Sequence, residues 1–441
     1  MAQGTFHFPH GFLWGTATSS HQVEGNNTIN NWWAWEQRPG KIVNSQKSGL
    51  ACGWWGGRWR EDFDRAAETH QNAHRFSIEW SRVQPTPDRW DEAAIDRYRE
   101  MLRGLQERRL KPMVTLHHFS DPMWLEEKGG WENPQVVDWF ETYVDKVVEA
   151  FKDYVNIWVT INEPNALAAN AYLYNEYPPG KNDLGAAFNV MINQVKAHAA
   201  AYHAIHRIQP AAQVSIALHV RPLIPIRDWS PLDRLTAGIL NGIFNDFFPR
   251  ALTSGVMRLS AWRKSVQEAK NTLDYLGINY YTREQVAFIF DPKAAFARRS
   301  LPKDLEKSPN SFMANDPQGM KDVLEWANAF GLPIIITENG VEDAKDTLRP
   351  RYLIEHLHQI WRQVNENVPI RGYFHWTLVD NFEWDYGWNL RFGLWELDTE
   401  SQARSKRPSA DLYAEICREN GFSSDMVAKY APDLVEKIFP D

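Results

Sequence analysis

Residues 156–165, NIWVTINEPN, and residues 331–340, GLPIIITENG, each run through a short apolar, β-branched segment straight into a glutamate. In neither does hydrophobicity alternate along the segment. Strands buried on both faces read this way, and such strands belong to parallel sheets covered by helices. The pattern recurs at 12–18, 74–80, 111–117, 213–219, 274–280 and 370–377, which predicts eight strands. Between them lie helical patterns over 60–71, 91–109, 134–153, 185–209, 231–252, 317–329 and 349–367. In 91–109, Ile95, Tyr98, Met101, Leu102 and Leu105 share one face at helical spacing. Pro134 and Pro350 suit first-turn positions. Eight buried strands alternating with helices predict an α/β fold: a single (β/α)8 TIM barrel over 1–441, with extended βα loops forming its functional face. A doubly wound sheet would read similarly. The count of eight, and the lack of a Gly-x-Gly-x-x-Gly turn after any strand, favour the barrel.

Composition narrows the class. The 441 residues carry 48 basic and 56 acidic side chains, a formal net charge of −8, with 43% hydrophobic and 24% charged residues. An acidic balance without a basic run argues against nucleic acid or an anionic membrane as partner. Two cysteines, Cys52 and Cys417, cannot build a disulfide framework, so a reducing compartment is expected. No basic stretch followed by an apolar core opens the chain, and no run of about 18 apolar residues occurs, so a cytoplasmic protein without a membrane span is expected. The 21 tryptophans stand out. Trp32, Trp33, Trp35, Trp54, Trp55 and Trp59 fall between the first two strands, where they serve either as a cleft wall or as packing under a loop.

In such a barrel the chemistry sits at the C-terminal ends of the strands. Here those ends carry Glu79-Trp80, His117-His118-Phe119, Asn162-Glu163, Asn279-Tyr280-Tyr281, Glu338-Asn339 and Trp376. Glu163 and Glu338 stand on nonadjacent strands, each beside a side-chain amide. Paired carboxylates are what cleavage of a glycosidic bond requires, one to protonate the leaving oxygen and one to act at the anomeric carbon. Adjacent strand residues point to opposite faces, so His117 and His118 do not make a metal-chelating pair. No His-x-His or His-Glu-x-x-His motif occurs, and no metal is expected. The segment 376–393, WTLVDNFEWDYGWNLRFG, places Trp376, Glu383, Trp384 and Trp388 at the rim. A carboxylate there can accept sugar hydroxyls while indoles cover the C–H faces of a pyranose.

Several motifs in fixed order resemble glycoside hydrolase family 1, the retaining β-glycosidases: FPHGFLWGTATSSHQVEG at 8–25, TINEP at 160–164, GINYYT at 277–282, ITENG at 336–340, WTLVDNFEW at 376–384 and RFGL at 391–394. The likeness runs from about residue 6 to about residue 415. It implies that Glu163 is the general acid/base and Glu338 the nucleophile. Arg75 and Tyr281 match partners that keep the nucleophile ionised, and Asn279 matches a support near the acid/base. Asn162 matches the residue that holds the sugar 2-hydroxyl. Gln22, His118, Trp376, Glu383 and Trp384 match the glycone site. His117 and Phe119 depart from the family pattern, which usually has aromatic residues there, and Phe119 replaces tryptophan. Gly and Trp after Cys52 depart as well, while Cys52 itself fits as a buried structural thiol. Glu383 and the lack of a matching lysine oppose a 6-phosphate on the sugar.

The resemblance implies a retaining exo-β-glycosidase that releases terminal β-D-glucosyl residues, with β-D-galactosyl or β-D-fucosyl residues as further substrates. The reaction would run by double displacement and need no cofactor. A non-catalytic sugar-binding relative and an enzyme acting mainly as a transglycosylase are the alternatives. Partners are expected to be small β-glycosides or short β-linked oligosaccharides, as in cellulose degradation, with no nucleic acid and no membrane. A homo-oligomer is compatible with the sequence. On this reading Glu163 holds the proton in the resting site, because the Glu338 charge repels a second charge.

Overall fold

A computed structural model describes residues 4–259 and 262–440. Eight parallel strands close into a barrel: β1 Leu13–Ala17, β2 Ala73–Ser77, β3 Lys111–His117, β4 Ile157–Asn162, β5 Gln213–His219, β6 Leu276–Asn279, β7 Ile334–Asn339 and β8 Ile370–Trp376. Each strand pairs with its chain-order neighbours, and β8 closes on β1. The eight expected strands are all present, most with ends within two residues of those expected. The second stops at Ser77, because a short helix, Trp80–Val83, begins just beyond it. The expected helix over 231–252 is two helices, Pro231–Asn241 and Phe247–Ser254, joined by a π-helical turn at Gly242–Asp246.

The non-alternating strands are explained by two apolar layers. Ala17, Ala73, Met113, Ile157, Val159, Ala217, Ile335 and Phe374 form one cluster, inside the barrel. Val114, Leu116, Trp158, Ile161, Val214, Ile216, Ile334 and Ile336 belong to the other, between strands and helices. Successive strand residues therefore each face a core, whichever way they point. The helices present the stripes read from sequence. In α1, Glu92–Glu107, the residues Ile95, Tyr98, Met101, Leu102 and Leu105 are all buried, and the Asp91 carboxylate caps the helix by accepting from the Ala94 amide. Burying each such side chain contributes roughly 1.5–3 kcal/mol.

Two local features position the barrel mouth. Strand register shifts at Ile278/Asn279 in the β6–β7 pair, at Ile336/Asn339 in β7–β8, and at Val159/Asn162 in β4–β5. Such irregularities re-aim side chains, and here they fall beside the polar ends of the strands. Gly340 follows Glu338-Asn339 where a Cβ would lie 2.0 Å from the Trp376 carbonyl oxygen. Only glycine lets these two strand ends approach so closely. Among the described residues no helix is long and apolar enough to cross a membrane.

Candidate active site

Several of the side chains singled out at the strand ends converge at one end of the barrel. Glu338, at the end of β7, accepts a hydrogen bond from Arg75 Nη1 at 2.6 Å on Oε1 and from the Tyr281 hydroxyl at 2.6 Å on Oε2. Arg75 comes from β2 and is fully buried, and its remaining donors reach Asn162 Oδ1 at 2.7 Å, Thr115 Oγ1 at 3.0 Å and the Thr337 carbonyl at 3.2 Å. Asn279 Nδ2 then donates to Asn162 Oδ1 at 3.1 Å and to Glu163 Oε1 at 2.9 Å. The two carboxylates on β4 and β7 are thus joined through Arg75, Asn162 and Asn279. Glu163 itself sits just past β4 with φ of 43°, a left-handed conformation that costs a non-glycine residue about 1 kcal/mol. Pro164 opens the short helix behind it.

The sugar-facing candidates form the adjoining wall. Asn162 Nδ2 donates to His118 Nε2 at 3.0 Å, and burial, with the Arg75 charge adding to it, holds the His118 imidazole well below its usual range. The ring is therefore neutral, with its proton on Nδ1. It stacks 5.9 Å from Trp376 and 5.9 Å from Trp384. Gln22, in a short helix after β1, donates to Glu383 Oε2 at 3.2 Å and to the Phe382 carbonyl at 2.9 Å, while Ser19 donates to its Oε1 at 2.6 Å. Burial, reinforced by the Glu338 charge, pushes the Glu383 carboxyl well above the usual carboxylate range.

Several residues read from sequence fall elsewhere. His117 points away from the mouth, against Trp131, with Nε2 2.9 Å from Asp121. Asn339, the amide beside Glu338, also faces outward and donates to the Tyr280 carbonyl at 2.7 Å and to Tyr352 at 2.9 Å. Glu79 is a buried loop anchor whose carboxylate accepts from Ser20, Ser81 and Ser120. Of the six clustered tryptophans, Trp32 joins the wall, 4.6 Å from Trp384. Trp54 and Trp59 instead pack around Phe63 between barrel and helices. Cys52 is buried, and burial pushes its thiol far up, as a structural cysteine requires.

One residue at the mouth escaped the sequence reading. His219 ends β5, and its Nδ1 lies 3.1 Å from Glu163 Oε2. It occupies the last position of a buried strand, the same signal that marks the others. It gives the Glu163 carboxyl a donor that bears on the expected resting charge distribution. Burial, with the Glu163 charge adding to it, pushes the Glu338 carboxyl up to about 7 against the opposing Arg75 and Tyr281. Burial would raise Glu163 too, but His219, Asn279 and Arg221 outweigh it and hold that carboxyl below its usual range. Among the described residues, no three His, Cys, Asp or Glu side chains converge as a metal-binding group.

The profile of the family described as glycosyl hydrolase family 1 matches residues 5–422, nearly the whole chain. The chain belongs to that family. Its relatives include β-glucosidase A of Thermotoga maritima, 31% identical over 94% of this chain and 98% of the relative. A solved β-glycosidase from Pyrococcus horikoshii superposes with a TM-score of 0.90 at 35% identity, covering 97% of this chain and 98% of that one. The T. maritima β-glucosidase in complex with deoxynojirimycin, a sugar-like inhibitor, matches with a TM-score of 0.88 at 30% identity over 95% of this chain and all of that one. As a family 1 member, the chain is a glycosyl hydrolase, and its barrel is the family's fold.

Proposed function

We propose that this family 1 hydrolase is a retaining exo-β-glycosidase, acting on terminal β-D-glucosyl residues and also on β-D-galactosyl and β-D-fucosyl residues. The observation that carries this reading is the buried link Glu338–Arg75–Asn162–Asn279–Glu163, which sets two carboxylates on facing strand ends beside a wall of His118, Trp376 and Trp384. Glu338, oriented by Arg75 and Tyr281, attacks the anomeric carbon. The glycosidic C–O bond breaks, and Glu163 gives its proton to the departing oxygen. Esterification removes the Glu338 charge. Water then gives a proton to Glu163 and its oxygen to the anomeric carbon, freeing Glu338 as a carboxylate.

The first step needs the proton on Glu163 and the charge on Glu338. In the unliganded site, burial favours the proton on Glu338 and His219 favours charge on Glu163. The pair therefore titrates as a unit that keeps one proton up to near-neutral pH. The aglycone oxygen arriving at Glu163 gives that proton an acceptor, and glycone hydroxyls donating to Glu338 favour its charge. Gln22, Asn162, His118 and Glu383 supply the polar contacts to the glycone, and the Trp376 and Trp384 indoles its apolar walls. Glu383 offers a 6-phosphate no cation, so that group would be buried uncompensated. No cofactor takes part in this scheme.

Retention is tested by following an aryl β-glucoside by NMR from the first turnover. β-Glucose appears first if the reading holds, and α-glucose first overturns it. A panel of aryl glucoside, galactoside, fucoside, mannoside and 6-phosphoglucoside then ranks the glycone. The glucoside leads in kcat/KM, and the 6-phosphate falls at least about 100-fold below it, as burying an uncompensated charge dictates.

A further inference from the structure

His219 lies between two fixed partners. On one side its Nδ1 is 3.1 Å from Glu163 Oε2. On the other, Arg221 Nε and Nη2 both stand 3.3 Å from His219 Nε2. A guanidinium can only donate, so the Nε2 lone pair faces Arg221 and the ring carries its proton on Nδ1, aimed at the carboxylate.

The mounting is built from both sides of the barrel mouth. Asn165, two residues past Glu163, donates to the His219 carbonyl at 2.7 Å and to the Phe244 carbonyl at 2.9 Å. The Val220 amide donates to the Asn279 carbonyl at 2.9 Å. Asn245 accepts from the Arg221 amide and donates to the Arg221 carbonyl, each at 2.9 Å. Arg221 is in turn paired with Glu284 at 2.9 Å, and Glu284 also faces Arg299 at 3.7 Å. The Phe244 ring, 5.6 Å from the imidazole, covers its flank.

We infer that His219 is a positioning residue for Glu163: its Nδ1–H, directed by Arg221, fixes the rotation of the acid/base carboxyl. With Asn279 on Oε1 and His219 on Oε2, each oxygen of Glu163 has one fixed donor. A carboxyl so held cannot turn away as its proton leaves and returns during the two steps. The donor also makes Glu163 a readier acid, which places the upper end of the working pH range lower than a bare carboxyl would.

The charged and titratable groups around this pair come from every neighbouring element. Glu338 and Tyr281 stand across the mouth, Arg221 behind the ring, and Glu284 and Arg299 on the strands Glu284–Phe288 and Ala297–Ser300. Glu176 and Asp385 lie on the loops after β4 and β8, within electrostatic reach of each other, and Glu176 also feels Arg221, Arg299 and Glu284. Among the described residues, only His219 and Asn279 hydrogen-bond the Glu163 carboxyl.

The inference rests on Glu163 being the acid/base, and its test separates the two. The pH profile of kcat/KM is measured for the parent, His219→Phe, His219→Asn and Arg221→Met, each with an aryl glucoside of good leaving ability and with an alkyl glucoside of poor leaving ability. In His219→Phe the donor is gone and the ionised form of Glu163 loses support, so the basic limb moves to higher pH by roughly one unit. The alkyl glucoside suffers more than the aryl one, because it depends on protonation of the leaving oxygen. Asn can place an amide N–H where Nδ1 stood, and His219→Asn returns the limb toward the parent. Arg221→Met frees the other tautomer and moves the limb in the same direction as His219→Phe, by less. An unmoved basic limb in His219→Phe overturns the inference, as does equal loss on both substrates, which a purely structural role would produce. Azide rescue of Glu163→Ala on the good leaving group is run alongside. Rescue keeps the acid/base reading whatever His219 does, and no rescue removes the reading and the inference together.

Discussion

Two clusters of buried charge lie near the same end of the barrel and are built in opposite ways. Behind the last loop, Asp343, Asp346 and Asp380 meet Arg349, Arg391 and Arg407. Arg407 grips Asp380 with two bonds of 2.9 and 2.8 Å, and Arg349 pairs with Asp346 and donates to the Asp343 carbonyl at 2.6 Å. Each carboxylate there has a cation or a set of donors. At the mouth, of Glu163, Glu338 and Glu383 only Glu338 contacts a guanidinium among the described residues, that of Arg75. The first cluster is neutralised and holds loops in place. The second has more carboxyls than cations, and burial, with mutual repulsion adding to it, raises Glu338 and Glu383 and costs stability. A mouth richer in carboxyls than in cations favours something cationic, and the oxocarbenium-like transition state of glycoside cleavage is such a species.

The contrast yields four expectations, each separating activity from stability. Removing the nucleophile by Glu338→Ala lowers kcat on an aryl β-glucoside by about 10⁴-fold or more, with the fold retained by circular dichroism. Residual activity of a few per cent would break the assignment. In the neutralised cluster the loss reverses in kind: Arg407→Met strands Asp380 and destabilises by about 3–5 kcal/mol in urea unfolding, while kcat/KM of the folded fraction stays at the parent's value. Arg75→Met lies between. It lowers kcat by about 10²-fold through lost electrostatic support, and without the cation Glu338 ionises later. The acidic limb of kcat/KM therefore moves to higher pH; a limb that stays put would mean Arg75 does not act on Glu338.

The smallest effect belongs to Glu383→Gln. A carboxyl raised in the folded state stabilises fully below its unfolded pKa and loses that contribution as pH climbs through the folded value. The parent therefore loses stability between pH 5 and pH 8 on account of Glu383, and Gln does not. The Tm gain of Glu383→Gln over the parent is larger at pH 8 than at pH 5, and KM for the glucoside rises. A gain independent of pH would show that the mouth is not overcharged at that position.

The barrel was legible because buried parallel strands leave a run of apolar residues that no surface strand can imitate, as in NIWVTIN and PIIIT. Each such run also ends at a polar residue, so most of the mouth could be read as a consequence of topology. Arg75 is different: it lies inside β2, and only the family likeness singled it out from AHRFS. His219 carried the strand-end signal as clearly as Asn279 did, but its chemistry depends on Arg221, which stands two residues later and gains meaning only once Asn245 and Glu284 fix it. Asn339 shows the converse. It sits beside Glu338 in sequence, yet the alternation of strand side chains sends it outward to Tyr280 and Tyr352. The tryptophan-rich segment divided for a similar reason: which indole walls a cleft and which fills a core is decided by loop packing that spacing does not encode.

The central claim is that Glu338 forms a bond to the sugar while Glu163 handles the proton. Incubation with an activated 2-deoxy-2-fluoro-β-glucoside, whose intermediate is hydrolysed slowly, tests it directly by intact mass and peptide mapping. The predicted result is one added fluoroglucosyl group per chain, carried on Glu338 in the peptide that includes Ile334–Asn339. A label on Glu163, or hydrolysis with no trapped ester, would contradict it.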